Sequence, residues 1–272
     1  MIQVTDCRHG RMMYMDNDKW IGKSYAIYGE CLQNEIDFIS HFVKPGDVVI
    51  DGGANMGAIT IPLAQMVGDN GHVYAFEPQR HIRHILCGNI ALNNLYNVTV
   101  EERPLWEHPY AFLWTPKSKR EWYEVPDQHM AGVEMSEEET PDGDPTIGTT
   151  IDCLELERLD FIKLDIEGAE PRALRGAKKT IEKCQPVMLI EAIPPTDEEI
   201  FKVLNSMDYA HRHIRLRYFN PNNWRGVKDD VLKEDNDPNP MISLDILCYP
   251  KSKPDVEFQF FKAASNSTCI IS

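Results

Sequence analysis

The stretch Asp51-Gly-Gly-Ala-Asn-Met-Gly57 sets an acid and three glycines directly after the short apolar run Val48-Val-Ile. Glycine lets backbone approach a ligand closely and adopt positive φ, so this composition suits a ligand held where a strand turns into a helix. The spacing nearly meets the dinucleotide fingerprint, with Gly52, Ala54 and Gly57 at its three places. A tight turn without a ligand would use the same residues, and a second acid narrows the choice. Glu77 ends the run Val73-Tyr-Ala-Phe-Glu, 26 positions after Asp51, where a carboxylate can accept hydrogen bonds from both hydroxyls of a ribose. Together the turn and Glu77 suit an adenosyl ligand. NAD and S-adenosylmethionine share that part, but an acid at Asp51 would repel a pyrophosphate and favour an amino group or a sulfonium.

A third group of acids could carry a reaction. Asp165 ends the strand-like run Phe161-Ile-Lys-Leu, Glu167 follows in the turn, and Glu191 ends the run Val187-Met-Leu-Ile. Methyl transfer from a sulfonium is an in-line displacement with a good leaving group, so the protein must orient the acceptor and take its proton. A hydroxyl acceptor needs a base or a metal. Asp165, Glu167 and Glu191 are the expected catalytic acids. If a divalent metal such as Mg²⁺ is used, Asp165 and Glu191 are its expected oxygen ligands. Glu170 has an equally good structural role, offsetting the dipole at a helix start. His211 and His213 lie on a strand-like run, and His213 is a further candidate base because histidine titrates near neutrality.

These residues need a scaffold that brings strand ends together. Apolar runs at 48–51, 72–76, 97–102, 161–165 and 187–191 read as strands, with helical segments at 57–67, 79–94, 170–183 and 196–207, the last capped by Thr196. That alternation predicts an α/β fold: a doubly wound, mostly parallel sheet with its ligand at the carboxyl ends of the strands. The runs 211–219 and 242–249 lack a helix between them and are expected as an antiparallel C-terminal strand pair. Residues 1–30 read as an extended lead-in and 31–43 as a helix. The expected organisation is an N-terminal lead-in and helix (1–44), a main domain (45–250) with an insert (107–148), and a tail (251–272). Trp106, Trp114, Trp122 and Tyr123 stand near the start of the insert, and the tryptophans could form a lid or an apolar platform for a sugar ring, or anchor the insert to the body. Asn220–Pro240 is a second irregular stretch.

Composition limits the partners. A formal net charge of −15 disfavours a general nucleic-acid binder, which needs a basic face, and also disfavours charge-driven attachment to an anionic membrane. A small-molecule or glycan acceptor fits better. The 7 cysteines show no metal-ligand spacing and suggest reduced thiols in a cytoplasmic setting. The first ten residues lack the apolar core of a signal peptide, and no apolar run approaches the roughly 20 residues of a transmembrane helix. The terminal Cys269-Ile-Ile-Ser272 fits a prenylation pattern at Cys269, without the polybasic run that would reinforce it.

Four segments in order resemble the FkbM family of methyltransferases: Pro45–Gly57, Val73–Pro78, Asn89-Ile-Ala-Leu-Asn93 and Phe161–Glu170. The likeness continues through Leu174-Arg-Gly-Ala177 to the strand ending at Glu191, and runs from about Tyr28 to Ala192. It does not extend to the insert or well into the last 80 residues. It implies a class I methyltransferase-like fold and S-adenosylmethionine as cofactor, with transfer to a hydroxyl oxygen, often on a sugar. By motif position, Asp51, Gly53, Asn55 and Gly57 would hold the methionine portion and Glu77 the ribose. Glu30, in the Tyr28-Gly-Glu lead-in, would face the cofactor. Asn89 and Asn93 could be packing residues or ligand contacts, and the adenine is expected near Arg103–Leu105. The rival readings are an NAD-dependent oxidoreductase and a cofactor-binding module without catalysis.

Overall fold

The computed structural model describes residues 1–116, 134–139, 143–233 and 240–266. Trp122, Tyr123 and the terminal Cys269–Ser272 lie outside the described residues.

The chain opens with a hairpin, β1 (Ile2–Cys7) and β2 (Gly10–Met15), followed by α1 (Ile21–Tyr28) and α2 (Gln33–Ile39). The lead-in is therefore folded rather than simply extended. The alternating part runs β3 (Val48–Gly52), α3 (Thr60–Val67), β4 (His72–Phe76), α4 (Arg80–Leu92) and β5 (Val98–Glu101). The insert contributes an antiparallel pair, β6 (Phe112–Pro116) and β7 (Gly143–Ile147). Next come β8 (Phe161–Leu164), α5 (Glu170–Arg175), α6 (Lys178–Cys184), β9 (Val187–Glu191) and α7 (Thr196–Ser206). The single helix expected over 170–183 is thus broken at Gly176-Ala177. Thr196 is the first helical residue rather than the cap; its hydroxyl donates to the Ile193 carbonyl at 2.6 Å. The chain continues through β10 (Tyr209–Arg217), β11 (Ile242–Pro250) and α8 (Asp255–Asn266).

Seven strands form one sheet in the order β10-β11-β9-β8-β3-β4-β5. Pairings from β9 to β5 are parallel, while β11 is antiparallel to both β9 and β10. The antiparallel pair is present as expected, and its reversed member is β11, inserted between two strands that run with the rest. The order reverses between β3 and β8, and there the carboxyl ends of parallel strands leave a crevice.

Side chains alternate between the two faces along each strand, and helices cover both, which explains the nearly continuous apolar runs. Val49, Phe161 and Leu189 pack with α2, α3 and α8, whereas Ile50, Ile162 and Ile190 pack with α5, α6 and α7. Each such fully buried side chain contributes roughly 1.5–3 kcal/mol. The expected tail beyond 250 includes α8, whose Val256, Phe260 and Ala263 belong to the first of these cores. The N-terminal hairpin is fastened to α4 by asparagines. Buried Asn89 accepts from the Met13 amide at 2.6 Å and donates to the Met13 and Met56 carbonyls. Asn93 bonds both the amide and the carbonyl of Arg11. Both are packing residues here.

Among the described residues no helix is long and apolar enough to cross a membrane. Cys7, Cys31, Cys87, Cys153, Cys184 and Cys248 are free thiols.

Candidate active site

The glycine-rich turn lies against the end of β4. The Gly53 and Ala54 amides both donate to the Phe76 carbonyl, at 3.1 and 2.9 Å. Gly53, Asn55 and Gly57 have φ of +83°, +49° and +95°, left-handed values that few side chains tolerate. At Gly53 the need is also spatial: an added Cβ would lie 1.8 Å from the Asp165 carbonyl oxygen. Gly53 therefore lets the β3 turn touch the β8 turn.

Glu77 helps to build this turn. Its Oε2 accepts from the Asn55 amide at 2.9 Å and its Oε1 from the Gln79 amide at 2.8 Å. Each oxygen keeps a lone pair for a ligand hydroxyl. Burial raises the Glu77 carboxyl to about 7 against the pull of those two amides. Asp51, also fully buried, accepts from the Thr60 hydroxyl at 2.5 Å, and burial lifts its carboxyl to about 6.

Asp51, Asn55 and Glu77 line a cavity of about 290 Å³ together with Asp165, Glu167 and Glu191. The candidate cofactor side and the candidate catalytic acids thus share one chamber at the strand ends. Glu167, in a left-handed turn residue with φ +54°, is raised to about 7 by partial burial and by the neighbouring Asp165 and Glu170 carboxylates. Burial and Asp165 push Glu191 far above the carboxylate range. Glu170 lies outside this group. Its Oε1 accepts from the Ile166 amide at 2.8 Å and closes the turn after β8.

Other expected residues are placed elsewhere. Glu30 does not line the cavity. Its carboxylate is bonded to Arg8 Nε at 2.6 Å, the Trp224 amide at 2.7 Å and Asn220 Nδ2 at 2.8 Å, tying the β10–β11 connection to the N-terminal hairpin. His213 is exposed on β10, with its ring 5.6 Å from that of Phe201 of α7, outside the cavity lining. Arg103 is paired with Glu101 at 2.6 Å, and neither it nor Leu105 lines the cavity. Trp106 is buried, donates to Glu137 and stacks with Arg172 at 4.5 Å, so it anchors the insert.

Sequence reasoning missed Lys163, Trp20 and Tyr218, all in the cavity wall. Lys163 left a signal: a lysine inside an otherwise apolar, fully buried strand has to meet opposite charge. It does so, with Nζ 3.0 Å from Glu35 and Asp245 and 3.7 Å from Asp165. Glu35 and Asp245 sit on α2 and β11, and nothing local in the sequence links them to position 163.

The donor set fits a cationic adenosyl compound: buried carboxylates, a two-oxygen acceptor in Glu77 and a glycine-rich turn that packs directly on the β8 turn at Gly53. It does not fit a divalent metal. The Lys163 ammonium occupies the space among the carboxylates, and no group of three or more His, Cys, Asp or Glu among the described residues is arranged to hold an ion.

The family model described as the Methyltransferase FkbM domain matches residues 51–217. No curated protein matches the chain. Similar solved structures include methyltransferase FkbM from Methylobacillus flagellatus, at 20% identity over 75% of this chain and 43% of that one, TM-score 0.45. An SAM-dependent O-methyltransferase from Thermotoga maritima is similar at 16% identity over 91% of this chain and 77% of its own, TM-score 0.45. An rRNA methylase from Streptococcus thermophilus follows at 12% identity over 80% and 95%, TM-score 0.44.

Proposed function

This chain belongs to the FkbM methyltransferase family, and from that premise we propose that it transfers a methyl group from S-adenosylmethionine to a hydroxyl oxygen of a sugar, a glycan or a similar hydroxylated small molecule. Asp51, Gly53 and Asn55 hold the amino-acid end of the cofactor, with Gly57 completing the turn, and Glu77 receives the ribose hydroxyls. The bound cofactor supplies an electrophilic methyl on a sulfonium leaving group. The protein's share is to orient the acceptor and to receive one proton.

The observation that carries this reading is Glu167. It stands half-buried at the cavity beside Asp165 and Glu191, with its carboxyl raised to about 7. A base of that strength takes up the proton a hydroxyl sheds as its oxygen bonds the methyl carbon, and it does so near neutral pH. Asp165 and Glu191 orient the hydroxyl from the same side. The overall charge of −15 supports an uncharged or weakly charged acceptor over a polyanion.

The test is a screen of labelled cofactor against sugars, glycan extracts and other hydroxylated metabolites, with and without a chelator. Label is expected on a hydroxyl, undiminished by chelation. Transfer confined to nitrogen, to protein or to nucleic acid would overturn the proposal. With the acceptor in hand, Glu167→Gln is expected to lower kcat by about 100-fold and to leave S-adenosylhomocysteine affinity within about threefold. Activity of the parent should rise as pH passes through about 7, where Glu167 ionises.

A further inference from the structure

We propose that Lys163, clamped between Glu35 and Asp245, is a positioning residue that holds the Asp165 carboxylate at the reacting end of the cavity. It rests on the family's methyl transfer and not on the hydroxyl acceptor. Lys163 and Asp165 are two apart at the end of β8, so their side chains leave the strand on the same face. The ammonium stands 3.7 Å from Asp165 Oδ2, 3.0 Å from Glu35 Oε1 and 3.0 Å from Asp245 Oδ1. Lys163, Glu35 and Asp245 are all buried, whereas the Asp165 side chain keeps 36% of its exposure. One end of the cluster is locked in the core and the other reaches the chamber.

Stability alone does not account for such a cluster. Desolvating three charged groups costs as much as their attraction returns, and apolar residues of similar size would hold the sheet as well or better. One oxygen of Asp245 even lacks a hydrogen-bond partner among the described residues. What the arrangement provides is a fixed positive charge among the acids of the crevice. Burial works against the charged lysine, but Asp245, Glu35 and Asp165 outweigh it and hold its pKa well above the usual value. The groups facing it are Glu35 of α2, Asp51 of β3, Asp165, Glu170 of α5, Glu191 of β9 and Asp245 of β11. Glu35 and Asp245 lie on either side of the family-matched stretch 51–217. Segments flanking that stretch therefore complete the centre.

Three full-length variants test this: Lys163→Met, Glu35→Gln and Asp245→Asn, each first checked for a cooperative thermal transition. All three are expected to bind S-adenosylhomocysteine within about threefold of the parent. With the acceptor from the screen, Lys163→Met should lose about 100-fold in kcat with little change in KM, the cost of a misplaced reacting group. The second measurement needs no acceptor: titration of the Glu191 carboxyl by carbon NMR. Loss of the lysine charge should move its midpoint up in Lys163→Met, and loss of a neighbouring carboxylate charge should move it down in Asp245→Asn. Opposite shifts are not produced by general loosening of the fold. If Lys163→Met does not fold, Glu35→Gln and Asp245→Asn are expected to show reduced kcat, with the downward shift in Asp245→Asn. A folded Lys163→Met with parental kcat, or parental Glu191 titration in every folded variant, would overturn the proposal. A screen that finds no hydroxyl acceptor would overturn only the acceptor assignment, because the NMR arm still decides the role of Lys163.

Discussion

Gly53 shows how closely single residues constrain this site. Its φ of +83° is unfavourable for any side chain, and the nearest obstacle to a Cβ is backbone, the Asp165 carbonyl at 1.8 Å. That atom cannot rotate away, so Gly53→Ala must separate the β3 and β8 turns. We expect a loss of at least about 2 kcal/mol in stability from the backbone strain, and at least tenfold weaker binding of S-adenosylhomocysteine. Thermal melts and calorimetry read the two effects. Parental affinity in a folded Gly53→Ala protein would mean that the contact between the turns does not shape the cofactor site. Glu77 carries two duties that its position in the sequence does not separate. It fastens the Asn55 and Gln79 amides and still presents acceptor capacity to the chamber.

At the scale of elements, part-buried polar bonds help to hold the described part of the β10–β11 connection, beside the contact of Phe219 with Tyr28. Glu30 accepts from the Trp224 amide and Asn220, and the Tyr28 hydroxyl donates to the Asp229 carbonyl at 3.0 Å. The same connection carries Tyr218 and Met241 at its two ends, and both line the chamber. Glu30→Gln keeps the shape but removes the charge that strengthens the bonds to Arg8 and Trp224. It is expected to cost about 1–3 kcal/mol and to speed hydrogen exchange at the Trp224 amide by at least tenfold. Affinity for S-adenosylhomocysteine should stay within about threefold. Weakened cofactor binding with unchanged exchange would return Glu30 to the ligand role that the family resemblance implies.

For the whole molecule, buried acids set the response to pH. Glu77 and Glu167 have folded-state values of about 7 and Glu191 one of about 10, against an ordinary 4.5. A raised acid contributes stability that is complete below its unfolded value and is lost as pH rises through the folded one. His72, His81 and His211, lowered by burial, have the opposite slope, but their effect is finished above the ordinary histidine value of 6.5. Between pH 6.5 and 8.5 the acids therefore dominate. The cofactor-free protein should lose about 2 kcal/mol or more across that range, seen as a falling Tm. Saturation with S-adenosylmethionine, which brings positive charge to these acids, should flatten the fall. A cofactor-free Tm that rises over this interval would contradict the burial of these carboxyls.

The amino-acid sequence by itself determined the alternating strands and helices, the turn 51–57, Glu77 at the end of β4 and the acids ending β8 and β9. These are local properties. Apolar run length, glycine content and the position of an acid at a strand end are all written within a few residues of the feature they specify. The reversed β11, inserted between β9 and β10, was legible only as an antiparallel pair because neighbour order depends on long-range pairing. The tertiary structure alone decided that Glu30 is bonded to Arg8, Asn220 and the Trp224 amide and that His213 lies outside the cavity lining. Positions 35, 163 and 245 are far apart in sequence, and they meet only because α2 covers the face of the sheet that Lys163 shares with Asp245. Burial then makes that meeting obligatory, since a charge removed from water must find its opposite wherever the fold brings one near.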